Sequence, residues 1–186
     1  PSDNTLNAKI KLIATDSAGN TNNVMTSAFA IDSTVPGTLP IARNSAAVSA
    51  STTVAINTTC SAEFDKVLYS TSSSIPAADD AGWENCASTK TFVVSSGDGL
   101  KTIYAFTKNG VGTVSTSSSS LSMTLDTTAP TVSLTTPSVQ LKGGASATLS
   151  YSASDTNTIS SLQLAYASDG TNFGTPISLS VGTTST

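Results

Sequence analysis

Three acidic side chains lie close together in the sequence. Of the residue patterns in this chain, theirs is the one that could support catalysis. Asp79, Asp80 and Glu84 supply carboxyl groups of the kind that glycoside hydrolases use in pairs. That reaction needs two carboxyl groups at a fixed separation across a cleft, one of them with a raised pKa. These residues instead belong to a predicted hairpin extension with a solvated tip, and the chain has no histidine for proton transfer near neutral pH. The sequence therefore predicts a protein that is not an enzyme.

Two aromatic residues beside the same extension suggest a second kind of chemistry, the binding of a sugar. Tyr69 precedes the extension and Trp83 follows most of it, so the two rings are candidates for an aromatic platform. An aromatic pair across a hairpin also serves to pack a domain. Both interpretations stay open at this point, with Trp83 and Tyr69 as the candidate ligand contacts.

Composition excludes several classes of partner. Charged residues make up 11% of the chain, the net charge is −4, and eight residues are Lys or Arg. Because these bases are spread thinly, no basic stripe exists to meet phosphates, and nucleic-acid binding is not expected. No apolar run approaches the ~20 residues that span a bilayer, so this segment is not expected to insert into a membrane.

A long internal repeat organises the chain. Residues 31–36 (Ile-Asp-Ser-Thr-Val-Pro) match residues 125–130 (Leu-Asp-Thr-Thr-Ala-Pro) at a distance of 94 residues. Residues 10–20 match residues 103–113 at a distance of 93 residues. This period is too long for solenoid units, which repeat every ~20–50 residues, and it suits an immunoglobulin-like β-sandwich of ~100 residues.

Alternating apolar residues predict that each copy is built from strands, so the expected fold class is all-β. In the first copy Ile10 and Leu12 share one strand face, and Phe29 and Ile31 share a face of a later strand. The early strands of the central copy have counterparts in the last copy: Val54, Ile56 and Thr58 match Leu149, Tyr151 and Ala153, and Val67 matches Leu164. No stretch predicts a long amphipathic helix.

The repeated motif resembles the bacterial immunoglobulin-like repeats of large surface adhesins and secreted multidomain proteins. The first copy carries the motif from Ile10 to Pro36, including Ala-Thr-Asp-Ser-Ala-Gly-Asn at residues 14–20 and Phe-Ala-Ile-Asp-Ser-Thr-Val-Pro at residues 29–36. The central copy departs from it at residues 108–112, where Lys-Asn-Gly-Val-Gly stands. The resemblance implies tandem sandwiches at the bacterial cell surface and names no ligand.

The resemblance to surface proteins also implies that Cys60 and Cys86 form a disulfide, since such bonds persist outside the cell. Cys60 ends a core-facing strand and Cys86 closes the hairpin extension. A bridge closing about 26 residues stabilises the fold by roughly 3 kcal/mol on the chain-entropy argument. The alternative is two free, buried thiols in a reducing compartment.

Asp32 and Asp126 lie at the two repeat junctions, where similar repeats sometimes bind Ca²⁺. Calcium takes six to eight oxygen ligands, and no dense acidic cluster surrounds either residue in the sequence. The alternative is that each aspartate accepts backbone N–H bonds within a turn. No cofactor is expected beyond this possible structural Ca²⁺.

The repeat predicts one complete domain flanked by two complementary half-domains. Residues 1–35 are the last strands of a preceding copy, residues 36–128 a complete copy, and residues 129–186 the first strands of a following copy. Half-domains expose strand edges and half of a core, which favours finding the missing strands. The expected packing residues between neighbouring units are Ile10, Leu12, Phe29, Ile31, Leu149, Tyr151 and Leu164.

These features predict a structural function. The chain is expected to be a stalk or fibre segment of an extracellular bacterial adhesin, presenting or spacing a binding tip. Its expected partners are neighbouring repeats or identical chains arranged head to tail, with a cell-surface glycan or protein receptor as a further possibility. The alternative is an accessory immunoglobulin-like or carbohydrate-binding module of a secreted polysaccharide-acting enzyme.

Overall fold

A computed structural model describes residues 4–135 and 148–179, together with residues 142, 143 and 146. These residues form strands, turns and loops and no helix, and therefore no helix long and apolar enough to cross a membrane. The fold is all-β and sandwich-like, as the alternation predicts. The chain divides into two compact units between Leu125 and Asp126, and each unit has its own sheets.

The first unit begins with an antiparallel hairpin, which we call the leading hairpin (residues 5–31). Its strands are β1 (Thr5–Ala8), β2 (Lys11–Thr15), β3 (Thr21–Met25) and β4 (Phe29–Ile31). β1 pairs with β4, and β2 pairs with β3. Every residue of β2 and β3 is exposed, and within the described part of the chain these two strands pair only with each other.

A two-sheet domain follows, which we call the central domain (residues 36–125). Its strands are β5 (Ile41–Arg43), β6 (Val48–Ser49), β7 (Thr53–Thr58), β8 (Lys66–Ser70), β9 (Thr89–Val93), β10 (Gly99–Lys108) and β11 (Ser119–Leu125). One sheet has the strand order β5-β7-β9, and the other has the order β6-β11-β10-β8. All pairs are antiparallel except β6 with β11.

The core of the central domain lies between these two sheets. Val54 and Ile56 of β7 are buried while Thr53 and Asn57 are exposed, which is the period-two pattern of a strand with one covered face. The buried side chains that cluster there come from both sheets: Val54, Ile56, Val94, Ile103, Met123 and Leu125. A second buried cluster contains Leu39, Phe64, Val67 and Ala105.

The described residues of the second unit form two separate strand pairs. Its strands are β12 (Thr131–Thr135), β13 (Ser150–Ser154), β14 (Leu162–Leu164) and β15 (Ile177–Leu179). β12 pairs with β13 and β14 pairs with β15, both antiparallel. Leu134 lies opposite Tyr151 in the first pair, and both side chains are exposed.

Candidate functional site

The disulfide predicted between Cys60 and Cys86 is confirmed. The two residues are bonded, with their Cα atoms 5.9 Å apart. Cys86 packs against the buried cluster around Phe64 and Val67, and Glu84 forms a backbone bridge to Val67. The bond therefore fixes the end of the hairpin extension (residues 71–86) to the central domain.

The hairpin extension is anchored on β10 through Trp83. The indole Nε1 of Trp83 donates a hydrogen bond to the backbone oxygen of Ala77 at 2.8 Å. The Nζ of Lys108 lies 4.8 Å from the centre of the Trp83 ring and donates to the backbone oxygen of Ala78 at 2.8 Å. A cation over an indole face is attracted by the ring's negative face, so these contacts fold the extension back onto the sheet.

Tyr69 has different neighbours from Trp83. Its ring packs against both buried clusters, and its hydroxyl lies 3.0 Å from Thr58 Oγ1. Burial raises the pKa of Tyr69 above its usual value. The two rings thus take part in separate packing arrangements, and sugar contact through them stays a prediction from the sequence.

The acidic residues of the extension make local contacts. Asp80 Oδ1 accepts a hydrogen bond from the backbone N–H of Gly82 at 2.7 Å. Glu84 forms an ion pair with Lys90 at 2.7 Å, and both side chains are about one-third exposed. These contacts describe a turn and a surface ion pair.

The first repeat junction is joined to the central domain by hydrogen bonds. The side-chain amide of Asn109 donates to Asp32 Oδ2 and to the backbone oxygen of Thr34, both at 3.0 Å. Asp32 Oδ1 also accepts the N–H of Thr34 at 2.9 Å. Thr107 Oγ1, which is fully buried, donates to the backbone oxygen of Gly37 at 2.6 Å. The junction is thus bound to the loop that follows β10.

Both junction aspartates accept backbone hydrogen bonds in turns. Asp126 Oδ1 accepts the N–H of Thr128 at 3.2 Å, as Asp32 does with Thr34. A groove of about 570 Å³ beside Asp32 is also lined by Glu63. Within the described part of the chain, no group of three or more His, Cys, Asp or Glu side chains is placed to hold a metal ion. Calcium at the junctions stays a prediction.

Two turns in equivalent repeat positions make the same hydrogen bonds. Asp16 Oδ1 accepts the N–H groups of Ala18 and Asn20, and Asn109 Oδ1 accepts those of Val111 and Thr113. In both turns a glycine has a positive φ, 89° at residue 19 and 91° at residue 112, which the absence of a Cβ permits. The turns that begin at Asp16 and Asn109 therefore share one hydrogen-bonding pattern.

The two equivalent turn residues differ in charge. Hydrogen bonds from Asn20 hold the pKa of Asp16 below its usual range, so this side chain is a carboxylate at neutral pH. Asn109 offers an amide that both accepts bonds in its turn and donates to the junction. In the sequence, Asn109 only marks a departure from the motif, because no local pattern shows which distant acceptor its amide will meet.

The expected inter-unit packing residues lie in the leading hairpin and in the second unit. Ile10 lies just before β2, and Leu12, Phe29 and Ile31 lie on the strands of the leading hairpin, while Leu149, Tyr151 and Leu164 lie in the second unit. Ile31 and Leu164 are half-buried, and the other five are exposed.

Neither a protein-family model nor a curated protein matches the chain.

Proposed function

We propose that the chain is a structural spacer, a stalk or fibre segment of an extracellular bacterial adhesin built from tandem immunoglobulin-like domains. The observation that carries this proposal is the structural equivalence of the turns at residues 16–20 and 109–113. A repeat that recurs in both sequence and hydrogen bonding is typical of arrays whose units serve to extend a surface. The resemblance of the motif to adhesin repeats supports the same function.

The junction contacts support a spacer that transmits tension. Asn109 and Thr107 bind the segment that enters the central domain, through Asp32, Thr34 and Gly37. A linker held by side-chain hydrogen bonds is stiffer than a free Ser/Thr-rich linker. The Cys60–Cys86 bond supports an oxidising, extracellular location, because cytosolic thiols are kept reduced.

Stretching single molecules between their ends tests this function. We expect the central domain to unfold in one discrete event, because its two sheets share one core. In the oxidised protein the disulfide hides 26 residues from extension, so reduction should lengthen the released chain by roughly 90 Å. A central domain that yields gradually, with no discrete event, would contradict a load-bearing spacer.

An assay with polysaccharides separates the spacer from the accessory-module alternative. We expect neither turnover nor retention of the chain on insoluble polysaccharides. Retention that Trp83→Ala abolishes, while the exposed aromatic control Tyr166→Ala keeps it, would favour a carbohydrate-binding module. Hydrolysis of a polysaccharide by the chain would contradict a non-enzymatic function.

A further inference from the structure

The turn after β10 contains the one Asn-Gly pair of the sequence, Asn109 and Gly110. Such a pair can react with itself, because a peptide nitrogen whose own residue has no Cβ can approach the side-chain carbonyl carbon of the asparagine before it. This reaction, deamidation, converts the asparagine to aspartate or isoaspartate. The turn that binds the first repeat junction is therefore also a place where the chain can modify itself.

The fold does not require glycine at position 110. A Cβ added to Gly110 would meet no atom of another segment within 4 Å, and the positive φ in this turn belongs to Gly112. The equivalent turn of the leading hairpin has Ser17 at this position and makes the same hydrogen bonds. Space and conformation thus give no reason for glycine here, whereas its effect on the reactivity of Asn109 does distinguish the two turns.

The native structure holds the side-chain amide of Asn109 in four hydrogen bonds, which is its full capacity. Its Oδ1 accepts two N–H groups of its own turn, and its Nδ2 donates to Asp32 Oδ2 and to the backbone oxygen of Thr34. Asn109 is 5% exposed, while Gly110 is exposed. Deamidation turns Cγ toward the nitrogen of Gly110 and removes Nδ2, so the amide must first leave these partners. The reaction therefore requires the turn and the junction to open locally.

We propose that Asn109–Gly110 is a deamidation site that the native hydrogen bonds keep unreactive, and that its reaction releases the first repeat junction. A base from the solvent removes the proton of the Gly110 nitrogen, which forms a bond with Cγ of Asn109. The bond between Cγ and Nδ2 breaks, and Nδ2 leaves as ammonia with a proton from water. Water then opens the new ring by hydrolysing one of its two C–N bonds, which gives aspartate or isoaspartate.

The aspartate product keeps the turn and loses the junction. A carboxylate can still accept the N–H groups of the turn, as Asp16 does in the equivalent turn. It has no proton to donate to Asp32 or to Thr34, so both bonds across the junction disappear. Two carboxylates would also face each other where the Asn109 amide nitrogen now lies 3.0 Å from Asp32 Oδ2, and like charges this close repel.

The release runs in one direction, because hydrolysis of the ring does not restore the amide. Each opening of the turn, by thermal motion or under load, gives the pair an occasion to react. The fraction of released junctions therefore reports how much of the time the junction has been open. This proposal goes beyond the spacer function and does not depend on it, since it rests on contacts within the first unit.

Peptide mapping by mass spectrometry, with the full chain kept at mildly alkaline pH, measures the reaction. In guanidinium chloride Asn109 should deamidate at least about 100-fold faster than in the native protein, because unfolding frees its amide from all four partners. Gly110→Ala should slow the reaction of the unfolded chain about 10-fold or more, because the added Cβ hinders the attacking nitrogen. This comparison is made on unfolded chains, so it does not depend on whether the variant folds.

A matched pair of aspartate variants tests whether the junction controls the reaction. Asp32→Ala should speed deamidation of the native protein about 10-fold or more, because it removes the charged acceptor of the Asn109 amide. The control is Asp126→Ala at the second junction, where Asp126 accepts the N–H of Thr128 as Asp32 accepts that of Thr34. It should leave the rate within about twofold of the wild type.

The Asn109→Asp variant reproduces the aspartate product and tests the release of the junction. Amide hydrogen exchange of residues 33–35 should quicken about 10-fold or more, while the amides of Val111 and Thr113 stay protected in the turn. Asp16→Asn makes the reverse change in the equivalent turn. It should leave exchange of residues 33–35 within about twofold of the wild type.

Three results would overturn the proposal. One is an unfolded chain in which Asn109 keeps its amide, or loses it equally fast with Gly110→Ala. Another is equal acceleration of the native reaction by Asp32→Ala and Asp126→Ala, and the third is unchanged exchange of residues 33–35 in Asn109→Asp. A chain that shows every expected change but yields gradually under force would leave the deamidation site standing while the spacer function fails.

Discussion

Phe106→Ala is expected to lower the free energy of unfolding of the central domain by about 3–5 kcal/mol. Phe106 is 1% exposed and lies on β10, opposite Leu68 of β8, which is also buried. Its side chain points away from the core between the two sheets, because Ala105 and Thr107 on either side belong to the other face. The substitution leaves a cavity beneath the hairpin extension, which makes few other apolar contacts with the sheet.

Ile13→Ala is the matched control, since Ile13 occupies the repeat position of Phe106 in the leading hairpin. Ile13 is 58% exposed, so its truncation should change the free energy of unfolding by less than about 0.5 kcal/mol. Urea unfolding followed by the fluorescence of Trp83, the chain's one tryptophan, measures both changes. Equal effects of the two substitutions would contradict the burial of Phe106.

The strand pattern could be predicted because local sequence encodes it, whereas the disulfide follows from the resemblance to surface proteins. A covered strand face requires an apolar residue at every second position, and Val54 and Ile56 satisfy this requirement in β7, with the buried Thr58 next on the same face. The prediction that Cys60 ends this strand and faces the core is wrong, since β7 ends at Thr58 and Cys60 beyond it is exposed.

Strand patterns predict that a loop partly covers Phe106, but they do not show which segment of the chain supplies it. On β10 the residues beside Phe106 on the same face are Tyr104 and Lys108, which suggests a solvated surface. The hairpin extension covers this face, held by Lys108 against Trp83 and by Gly82 packed close to Leu68. Because the extension is an irregular loop with no apolar period, its resting place depends on tertiary contacts.

The role of Asn109 illustrates the same limit for polar residues. Its turn is recognisable from Gly112, but the acceptors of its amide, Asp32 and Thr34, are more than 70 residues away in sequence. Hydrogen bonds between segments this far apart depend on where the sheets place both partners. A sequence therefore shows that such a residue departs from a motif, and the fold shows what it binds.

Replacing both cysteines by alanine (Cys60→Ala with Cys86→Ala) is expected to destabilise the central domain by about 3 kcal/mol. The bond closes 26 residues, and without it the unfolded chain has more conformations to lose on folding. A loss of this size corresponds to a melting temperature lowered by about 12–20 °C for a domain of this length. Calorimetry of the oxidised protein and the double variant measures the shift.

Reduction provides the control, since dithiothreitol should lower the melting temperature of the wild type and leave the double variant unchanged. The urea dependence of unfolding should also steepen without the bond, because a less constrained unfolded chain exposes more surface. A fully reduced wild type that melts at the oxidised temperature would show that Trp83 and Lys108 hold the extension without the disulfide.

The stability that the Cys60–Cys86 disulfide gives the central domain is expected to depend on the length of the connection between Tyr69 and Trp83. Trp83 lies 14 positions after Tyr69 there, and Phe173 lies seven positions after Tyr166 in the second unit, whose sequence has no cysteine. A longer loop costs more entropy to close, and a cross-link at its end removes part of that cost from folding. Shortening residues 71–82 to the second unit's loop length should therefore reduce the stability lost on removing both cysteines. An unchanged loss in the shortened protein would show that the bond stabilises the fold through the packing of Cys86 instead.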